Sequence, residues 1–416
     1  MSSPAPIQSA PRPAALRALV AGYVVLLPFQ FEIGSSVNFA PADCLLVLAL
    51  LLAAAQLKYR RDAWSPWHFG IALTFALGSF VAALRFGKLD RYELLNKDVG
   101  LLLPFLSYAA ITSCAAGWED VRHILRVFAL SVVAQNVVCV GAFLAAYFFG
   151  VTTLFVRYQG LRLSGMLLDP NAYGGLLALT FVLIEAASLG PAPLLGRKAL
   201  LFSRWTLSLG LLFTFSRSAW LALALALALF AVLQPRAAGR LVLQVLMVVP
   251  CVFLLLGPRR FLPIFEEMAS RPKQVQGRFD LIHDALVAFS RHPFLGGGLG
   301  SFRLSEGEIA HNSAMWFLAD FGILGLSVLL GFLGWFFVRA WRTYRITPPG
   351  ERPIALALLL GHTAMVGFAM GIEAFYQRHW WLVFGLIGAG YSIALRRASH
   401  PAHRCQRTSG CLQTLQ

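Results

Sequence analysis

The chain has 416 residues, of which 58% are apolar and only 13% are charged, and its mean hydropathy is +0.68. A soluble domain carries about 25% charged residues and about 45–50% apolar ones, so the composition excludes a water-soluble globule, a disordered chain and a coiled coil. The formal net charge of +16 would indicate nucleic-acid binding in a soluble protein. Here the cations lie in short loops between apolar segments, where they indicate membrane topology instead. No nucleic-acid partner is expected.

Apolar segments of nearly membrane-spanning length recur along the whole chain. A helix needs about 20 residues to cross about 30 Å of hydrocarbon, and lipid offers no partner to unpaired backbone groups, which favours helices. The fold is therefore predicted to be an all-α polytopic membrane protein with about twelve transmembrane helices. They are expected near residues 15–34, 41–57, 67–84, 98–115, 124–149, 171–189, 199–215, 218–233, 240–256, 313–338, 353–372 and 379–395.

The distribution of lysine and arginine predicts the orientation of these segments. With an even number of spans both termini lie on one side, and twenty cations fall on that side. Eight lie in the short loops of the opposite side, while seven more lie in one long loop, which has little influence on topology. Both termini are thus predicted to be cytoplasmic. Residues 1–13 are not predicted to be a cleavable signal, because the apolar run that follows is as long as a full span.

One long outer loop divides the predicted membrane domain. Residues 1–256 are predicted to hold about nine transmembrane helices and residues 312–395 about three, with residues 396–416 as a cytoplasmic tail. The loop at 257–311 contains a predicted amphipathic helix over 277–291, ended by His292-Pro293. Its apolar stripe lies at i, i+3, i+7 and i+10, which is one helix face: Phe279, Ile282, Leu286 and Phe289. Such a helix lies on the membrane surface or caps a cavity.

Three polar features in or near the spans have open interpretations. The glycine run at 296–300 is either a tight turn or a cradle whose backbone amides bind phosphate. A carboxylate inside a span is expensive, so Asp320 either orients a neighbouring Arg or His or pairs within the helix bundle. Gln135 and Asn136 are expected to form hydrogen bonds between helices.

Fifteen cations remain on the predicted outer side, which is more than topology requires. They either contact lipid headgroups or form a pocket for a phosphorylated lipid. Arginine suits the second role, since its planar guanidinium binds phosphate oxygens in pairs.

The order of several short motifs resembles bacterial O-antigen ligases and the related O-antigen polymerases. In that family a histidine with a small polar residue precedes a glycine motif after nine positions, as His311-Asn312 precedes Gly322-Ile323-Leu324-Gly325. Further similar fragments over residues 165–330 are Asp169-Pro170-Asn171, Thr214-Phe215-Ser216-Arg217-Ser218, Gly277-Arg278-Phe279 and His292-Pro293-Phe294-Leu295-Gly296-Gly297-Gly298. The resemblance implies an inverting glycosyltransferase without metal or other cofactor, whose donor is a glycan on undecaprenyl diphosphate. It implies catalytic roles for Arg217, Arg278 and His311.

The resembled family acts at the outer face of the bacterial inner membrane, which implies a site that faces the periplasm. The arginines would stabilise the diphosphate leaving group, and His311 would accept the proton of the attacking sugar hydroxyl. Without those roles, Arg217 would cap a helical hairpin, Arg278 would pair with Asp280 or Asp284, and His311 would be a structural hydrogen-bonding residue. Other residues expected to bind substrate are Arg85, Lys88, Arg91, Arg157, Arg162, Arg303 and Asn312.

Four functions are weighed. A ligase would use the lipid A core as acceptor, with the basic cluster Arg85, Lys88, Arg91 and Lys97 holding the acceptor's phosphates. A polymerase would join two lipid-linked repeats, and a related branch glycosylates protein. A transporter or flippase for lipid-linked glycan would place its charges near the membrane midplane. The charges here gather at the outer interface, which favours an enzyme that works in contact with membrane lipids. Among the enzymes, the ligase is favoured.

Overall fold

The computed structural model describes residues 14–33, 37–55, 64–87, 97, 99–157, 161–259, 262 and 272–399. This part of the chain is mostly helical, and each of the twelve predicted apolar segments coincides with a helix. The helices are α1 (Ala14–Leu26), α2 (Pro41–Ala55), α3 (Pro66–Phe86), α4 (Val99–Cys114), α5 (Trp118–Phe149), α6 (Pro170–Ala187), α7 (Arg197–Thr214), α8 (Arg217–Leu233), α9 (Pro235–Leu256), α10 (Pro272–Arg291), α11 (Ser301–Glu306), α12 (Ser313–Ile346), α13 (Arg352–Ala369) and α14 (Arg378–Ser399).

Six of the described helices are long and apolar enough to cross a membrane by length and composition: α3, α5, α6, α9, α12 and α13. Four more are shorter apolar helices, namely α1, α2, α4 and α8. The protein is therefore a multi-pass membrane protein. The number of twelve crossings remains a prediction.

The first predicted span, 15–34, is wrong in its length. Helix α1 ends at Leu26, because Pro28 has no N–H to donate and its ring disfavours helical backbone at the preceding residue. A short antiparallel hairpin follows, in which β1 (Phe31–Ile33) pairs with β2 (Val37–Phe39). A second hairpin joins β3 (Val156–Arg157) to β4 (Arg162–Leu163). The fold is thus helical with two small hairpins.

Helices α6 and α13 lie at the centre of the bundle. In the most apolar 18-residue stretch of each helix, 94% of the residues of α6 and 83% of those of α13 are buried. The corresponding shares are 28% in α3 and 22% in α9, which lie at the periphery. Helix α6 packs closely because glycines face its neighbours: a Cβ on Gly174 would lie 2.8 Å from Ala219 Cβ on α8.

Polar side chains inside the bundle connect helices as predicted. Asn136 Nδ2 donates to the carbonyl of Thr206 on α7 at 2.6 Å, and its Oδ1 accepts from Tyr173 on α6 at 3.0 Å. Gln135 Nε2 donates to Pro28 O at 3.4 Å. Asn136 therefore joins three helices, which confirms the expectation for this residue. Gln135 instead bonds to the turn after α1.

Helix α12 is broken at Gly322, whose backbone has φ 66° and ψ −163°. The residues that precede α11 fit into this break. The N–H groups of Ile323 and Leu324 donate to the carbonyls of Pro293 and Phe294, at 2.8 and 3.3 Å. The positive φ favours glycine, and a Cβ at Gly322 would also collide with Phe294. The break therefore anchors the segment before α11 to the membrane bundle.

The glycine run is a buried turn, and its amides are occupied. Gly297 and Gly298 donate to the carbonyls of Ala319 and Asp320, both at 2.9 Å, and Leu299 donates to Gly78 O at 2.9 Å. These N–H groups have protein partners, so the phosphate-cradle interpretation of the run is wrong.

Asp320 binds the start of α11 through its carboxylate. One carboxylate oxygen accepts from Gly300 N and Trp316 Nε1, both at 2.9 Å. The other accepts from Ser301 Oγ and Phe302 N, both at 3.0 Å. The side chain is 1% exposed, and these four donors stabilise its buried charge.

Candidate active site

The turn between α7 and α8 places Arg217 at the first position of α8. Phe215 adopts the left-handed conformation (φ 48°), and Ser216 caps α8 by accepting from Ala219 N at 3.3 Å. Ser216 Oγ also donates to Asn171 Oδ1 at 3.1 Å. Arg162 Nε donates to Thr214 O at 2.9 Å. Arg217 thus projects from a turn that side chains of neighbouring elements hold in place.

Arg162 and Asp169 organise the start of α6 beside this turn. Arg162 Nη2 donates to Asn171 Oδ1 at 3.0 Å. Asp169 caps α6 by accepting from the backbone of Asn171 and Ala172, at 2.6 and 2.9 Å. The structure therefore uses Arg162 to link α6 to the turn that carries Arg217.

Helix α10 brings Arg278 to the same place. Its Nη1 lies 3.4 Å from Ser218 Oγ, and that hydroxyl donates to Gly371 O at 2.9 Å. Burial lowers the pKa of Arg278, the charge of Arg217 lowers it further, and Asp169 opposes both effects. Arginine still keeps its proton at neutral pH. Two guanidinium groups therefore concentrate positive charge at one point.

The expected alternative partners of Arg278 do not pair with it. Asp280 accepts from Gln276 at 2.9 Å and lies on the exposed side of α10. Among the described side chains of this helix Ala285 is the buried one, while Phe279 is 62% and Leu286 46% exposed. The predicted apolar stripe is thus partly exposed: Phe279 and Leu286 are exposed, whereas Ile282 and Phe289 are half-buried.

His311 lies directly before α12 in a left-handed conformation (φ 49°). Its Nδ1 is buried without a hydrogen-bond partner among the described residues. Burial and the charge of Arg278 lower the pKa of His311, while Glu373, Asp169 and Glu308 raise it. The net direction is downward, so the imidazole is neutral at pH 7 and available as a proton acceptor.

Asn312 is occupied by the protein backbone. Its Oδ1 caps α12 by accepting from Ala314 and Met315, at 2.9 and 3.1 Å, and its Nδ2 donates to Met370 O at 3.0 Å. These bonds fix the residue next to His311. The hydrogen bonds to the backbone are a sufficient reason for an asparagine at position 312, and substrate contact is not needed to explain it.

A buried ion pair lies next to the residue that precedes His311, and the sequence interpretation missed it. Glu373 Oε1 accepts from Ala310 N at 3.1 Å, and its Oε2 lies 3.1 Å from Lys97 Nζ. Both side chains are 7% exposed, and the ammonium stacks on Trp316 at 4.6 Å from the ring centre. Lys97 was expected in an outer basic cluster, but it is buried here. The signal in the sequence that could have indicated this contact is the carboxylate in the short, mostly apolar loop at 370–377.

The structure brings the three residues predicted to be catalytic into one region. Arg278 contacts Ser218, next to Arg217, and the backbone at 370–371 accepts from both Ser218 and Asn312, which is next to His311. Arg217, Arg278 and His311 come from three separate elements, and the charges of neighbouring members act on one another. We refer to them as the arginine–histidine cluster. It combines two cations with a neutral base, and Ser218 and Glu373 support it.

The other predicted binding residues have different positions. Arg157 is exposed and donates to Leu168 O at 2.8 Å. Arg85 lines a separate pocket, and Arg303 lies on α11, which forms one wall of that pocket. Lys88 and Arg91 lie outside the described residues. None of the lining residues of that pocket belongs to the arginine–histidine cluster.

Residues 202–330 match the family model described as O-antigen ligase. The match contains Arg217, Arg278 and His311 and confirms the resemblance to the O-antigen ligase and polymerase family. No curated protein matches the chain.

Proposed function

We propose that this protein, whose residues 202–330 match the O-antigen ligase model, is an O-antigen ligase of the bacterial inner membrane. It transfers a glycan from undecaprenyl diphosphate to a sugar hydroxyl of the lipid A core at the periplasmic face. The observation that carries the proposal is the convergence of Arg217, Arg278 and His311, which lie up to 94 residues apart in the chain.

The two arginines suit a diphosphate leaving group. When the sugar–phosphate bond breaks, its electron pair moves to the bridging oxygen, and negative charge grows there. Fixed cations stabilise this transition state more than the ground state, which accelerates the reaction. Arg278 is half-buried, and Ser218 fixes its guanidinium, so little reorganisation is needed.

His311 suits the opposite end of the reaction. A sugar hydroxyl is a poor nucleophile at neutral pH, and its proton must leave as its oxygen bonds to the anomeric carbon. The neutral imidazole accepts that proton, a step worth roughly 10²–10⁴ in rate. The oxygen attacks from the face opposite the diphosphate, so a single displacement inverts the anomeric carbon. The two arginines are expected to meet the diphosphate without a divalent cation.

Deletion of the gene in its native bacterium tests the acceptor. We expect lipopolysaccharide with a bare lipid A core, because a ligase mutant cannot attach any glycan. A core that carries one repeat would indicate the polymerase, and wild-type lipopolysaccharide would contradict both enzymes. Complementation with His311→Ala should reproduce the deletion, whereas His283→Ala, at an exposed position on α10, should restore the wild-type pattern.

Purified protein tests the chemistry. Transfer from the lipid-linked donor should persist in EDTA, because Arg217 and Arg278 meet the diphosphate. Loss of transfer in EDTA that magnesium or manganese restores would contradict this mechanism. Retention of the starting anomeric configuration in the product would contradict the single displacement.

A further inference from the structure

A second basic site lies apart from the arginine–histidine cluster. It is an open pocket of about 370 Å³ between the end of α3, the end of α10 and helix α11. Its lining residues are Arg85, Phe86, Ala288, Arg291, His292, Gly297, Ser301, Phe302, Leu304 and Ser305. They include two arginines, a histidine and two serines but no carboxylate. We refer to it as the Arg85 pocket.

The cations of the Arg85 pocket lie close together. Arg85 Nη1 is 3.5 Å from Gly297 O, which directs the guanidinium into the pocket. The charges of Arg85 and Arg291 both lower the pKa of His292, after burial, so the three groups are neighbours. Asp320 lies behind the wall, but Gly300, Ser301, Phe302 and Trp316 occupy its oxygens. The Ser301 and Ser305 hydroxyls already donate to Asp320 Oδ1 and Phe302 O. The two arginines, in a lining without a carboxylate, are therefore the groups that favour a phosphate.

The rim of the pocket is apolar and exposed. Leu304 is 47% and Phe86 38% exposed. Phe86 and Leu304 also line the pocket. A soluble phosphate would gain nothing from these side chains, whereas a lipid headgroup places its phosphate beside apolar chains. The combination therefore favours a phosphate carried by a lipid.

The length of α10 separates the two basic sites. Arg278 belongs to the arginine–histidine cluster and Arg291 to the Arg85 pocket, thirteen residues further along one continuous helix. At 1.5 Å per residue their Cα atoms are about 20 Å apart along the helix axis. The donor's diphosphate is bonded to the reacting sugar, so it must lie at Arg217 and Arg278. A different anion must occupy the Arg85 pocket.

We propose that the Arg85 pocket binds a phosphate group of the acceptor glycolipid, roughly 20 Å from the hydroxyl that attacks. The proposal rests on the proposed transferase function. It specifies an acceptor whose phosphate is several sugars away from its reacting hydroxyl. Helix α10 then sets the distance between the phosphate and the reacting end, so the pocket selects acceptors by length as well as by charge.

Steady-state kinetics of the purified full-length protein test this. The double variant Arg85→Gln/Arg291→Gln should raise the KM for phosphorylated lipid A core at least about tenfold, equivalent to about 1.4 kcal/mol. The turnover number and the donor KM should stay within about twofold, which also shows that the variant is folded. Arg85→Lys/Arg291→Lys should recover part of the affinity. Arg259→Gln, at an exposed arginine outside the pocket lining, should match wild type.

Enzymatically dephosphorylated lipid A core identifies the group that is bound. The wild-type KM should rise on this acceptor, and the double variant should lose nothing further. An unchanged acceptor KM in the double variant, or an equal loss on both acceptors, would overturn the proposal. A wild-type protein without transfer activity would instead overturn the proposed function. In that case, the affinities of wild type and the double variant in nanodiscs for phosphorylated and dephosphorylated lipid A core would test the pocket. Wild type should bind the phosphorylated form more tightly, and the double variant should bind both forms equally.

Discussion

Replacement of Asp320 by asparagine should release α11 from the membrane bundle. Asp320 accepts four hydrogen bonds, two on each oxygen, from Gly300, Ser301, Phe302 and Trp316. Asparagine keeps one oxygen and turns an NH₂ group towards two donors. The variant therefore loses about two charge-assisted bonds.

The expected loss follows from those two bonds. A hydrogen bond to a charged group contributes about 1.5–3 kcal/mol, and relief from burying a charge offsets part of the total. We expect the local opening free energy to fall by about 2–4 kcal/mol. Amide exchange of the opened segment should then accelerate about 30- to 700-fold, since each 1.4 kcal/mol is about tenfold.

Hydrogen–deuterium exchange with mass spectrometry measures this on peptides that cover residues 293–306. Ser301→Ala, which removes one of the four bonds, should accelerate the same peptides much less. Peptides from α6, at the centre of the bundle, should exchange as in wild type. If peptides 293–306 of Asp320→Asn exchange at the wild-type rate, the carboxylate does not hold this segment and the reasoning is refuted.

Further predictions concern the site and its orientation. His311→Ala should lower turnover by roughly 10²–10⁴ and retain donor affinity. Arg278→Ala should lower both turnover and donor affinity, and Arg278→Lys should recover part of that loss. Equal loss of donor affinity in both alanine variants, with unchanged thermal melts, would make His311 a phosphate ligand. Glu373 raises the pKa of His311, so Glu373→Gln should move the acid limb of the kcat/KM profile to lower pH, and a shift to higher pH would show that this carboxylate does not act on the base. A cysteine at Ser305 should react with a membrane-impermeant thiol reagent in intact spheroplasts while one at Pro349 should not, and the reverse labelling would invert the predicted topology.

Local patterns determined the secondary structure of the membrane part. Each predicted apolar segment coincides with a helix, because length and continuous hydropathy are properties of neighbouring residues and lipid permits few backbone alternatives. The ends were less predictable. The predicted span 15–34 extends past the end of α1, because Pro28 stops the helix.

The motifs around Arg217, Arg278 and His311 indicated a shared site from their order and spacing. Their convergence was not visible in the sequence itself, because three separate elements place them together. Hydrophobic periodicity predicted the apolar face of α10 but not its direction. Two of its residues, Phe279 and Leu286, are exposed, whereas Ile282 and Phe289 are half-buried.

Only the tertiary structure decided which polar groups are already occupied. Asn312, Lys97, Asp320 and the amides of the glycine run all had a functional interpretation, and in the fold each has a partner within the protein. Glu373 reaches Lys97 and Ala310 across 276 and 63 residues of chain. A buried charge or amide must be satisfied wherever the fold places it, and partners so distant in the chain leave no local pattern in the sequence.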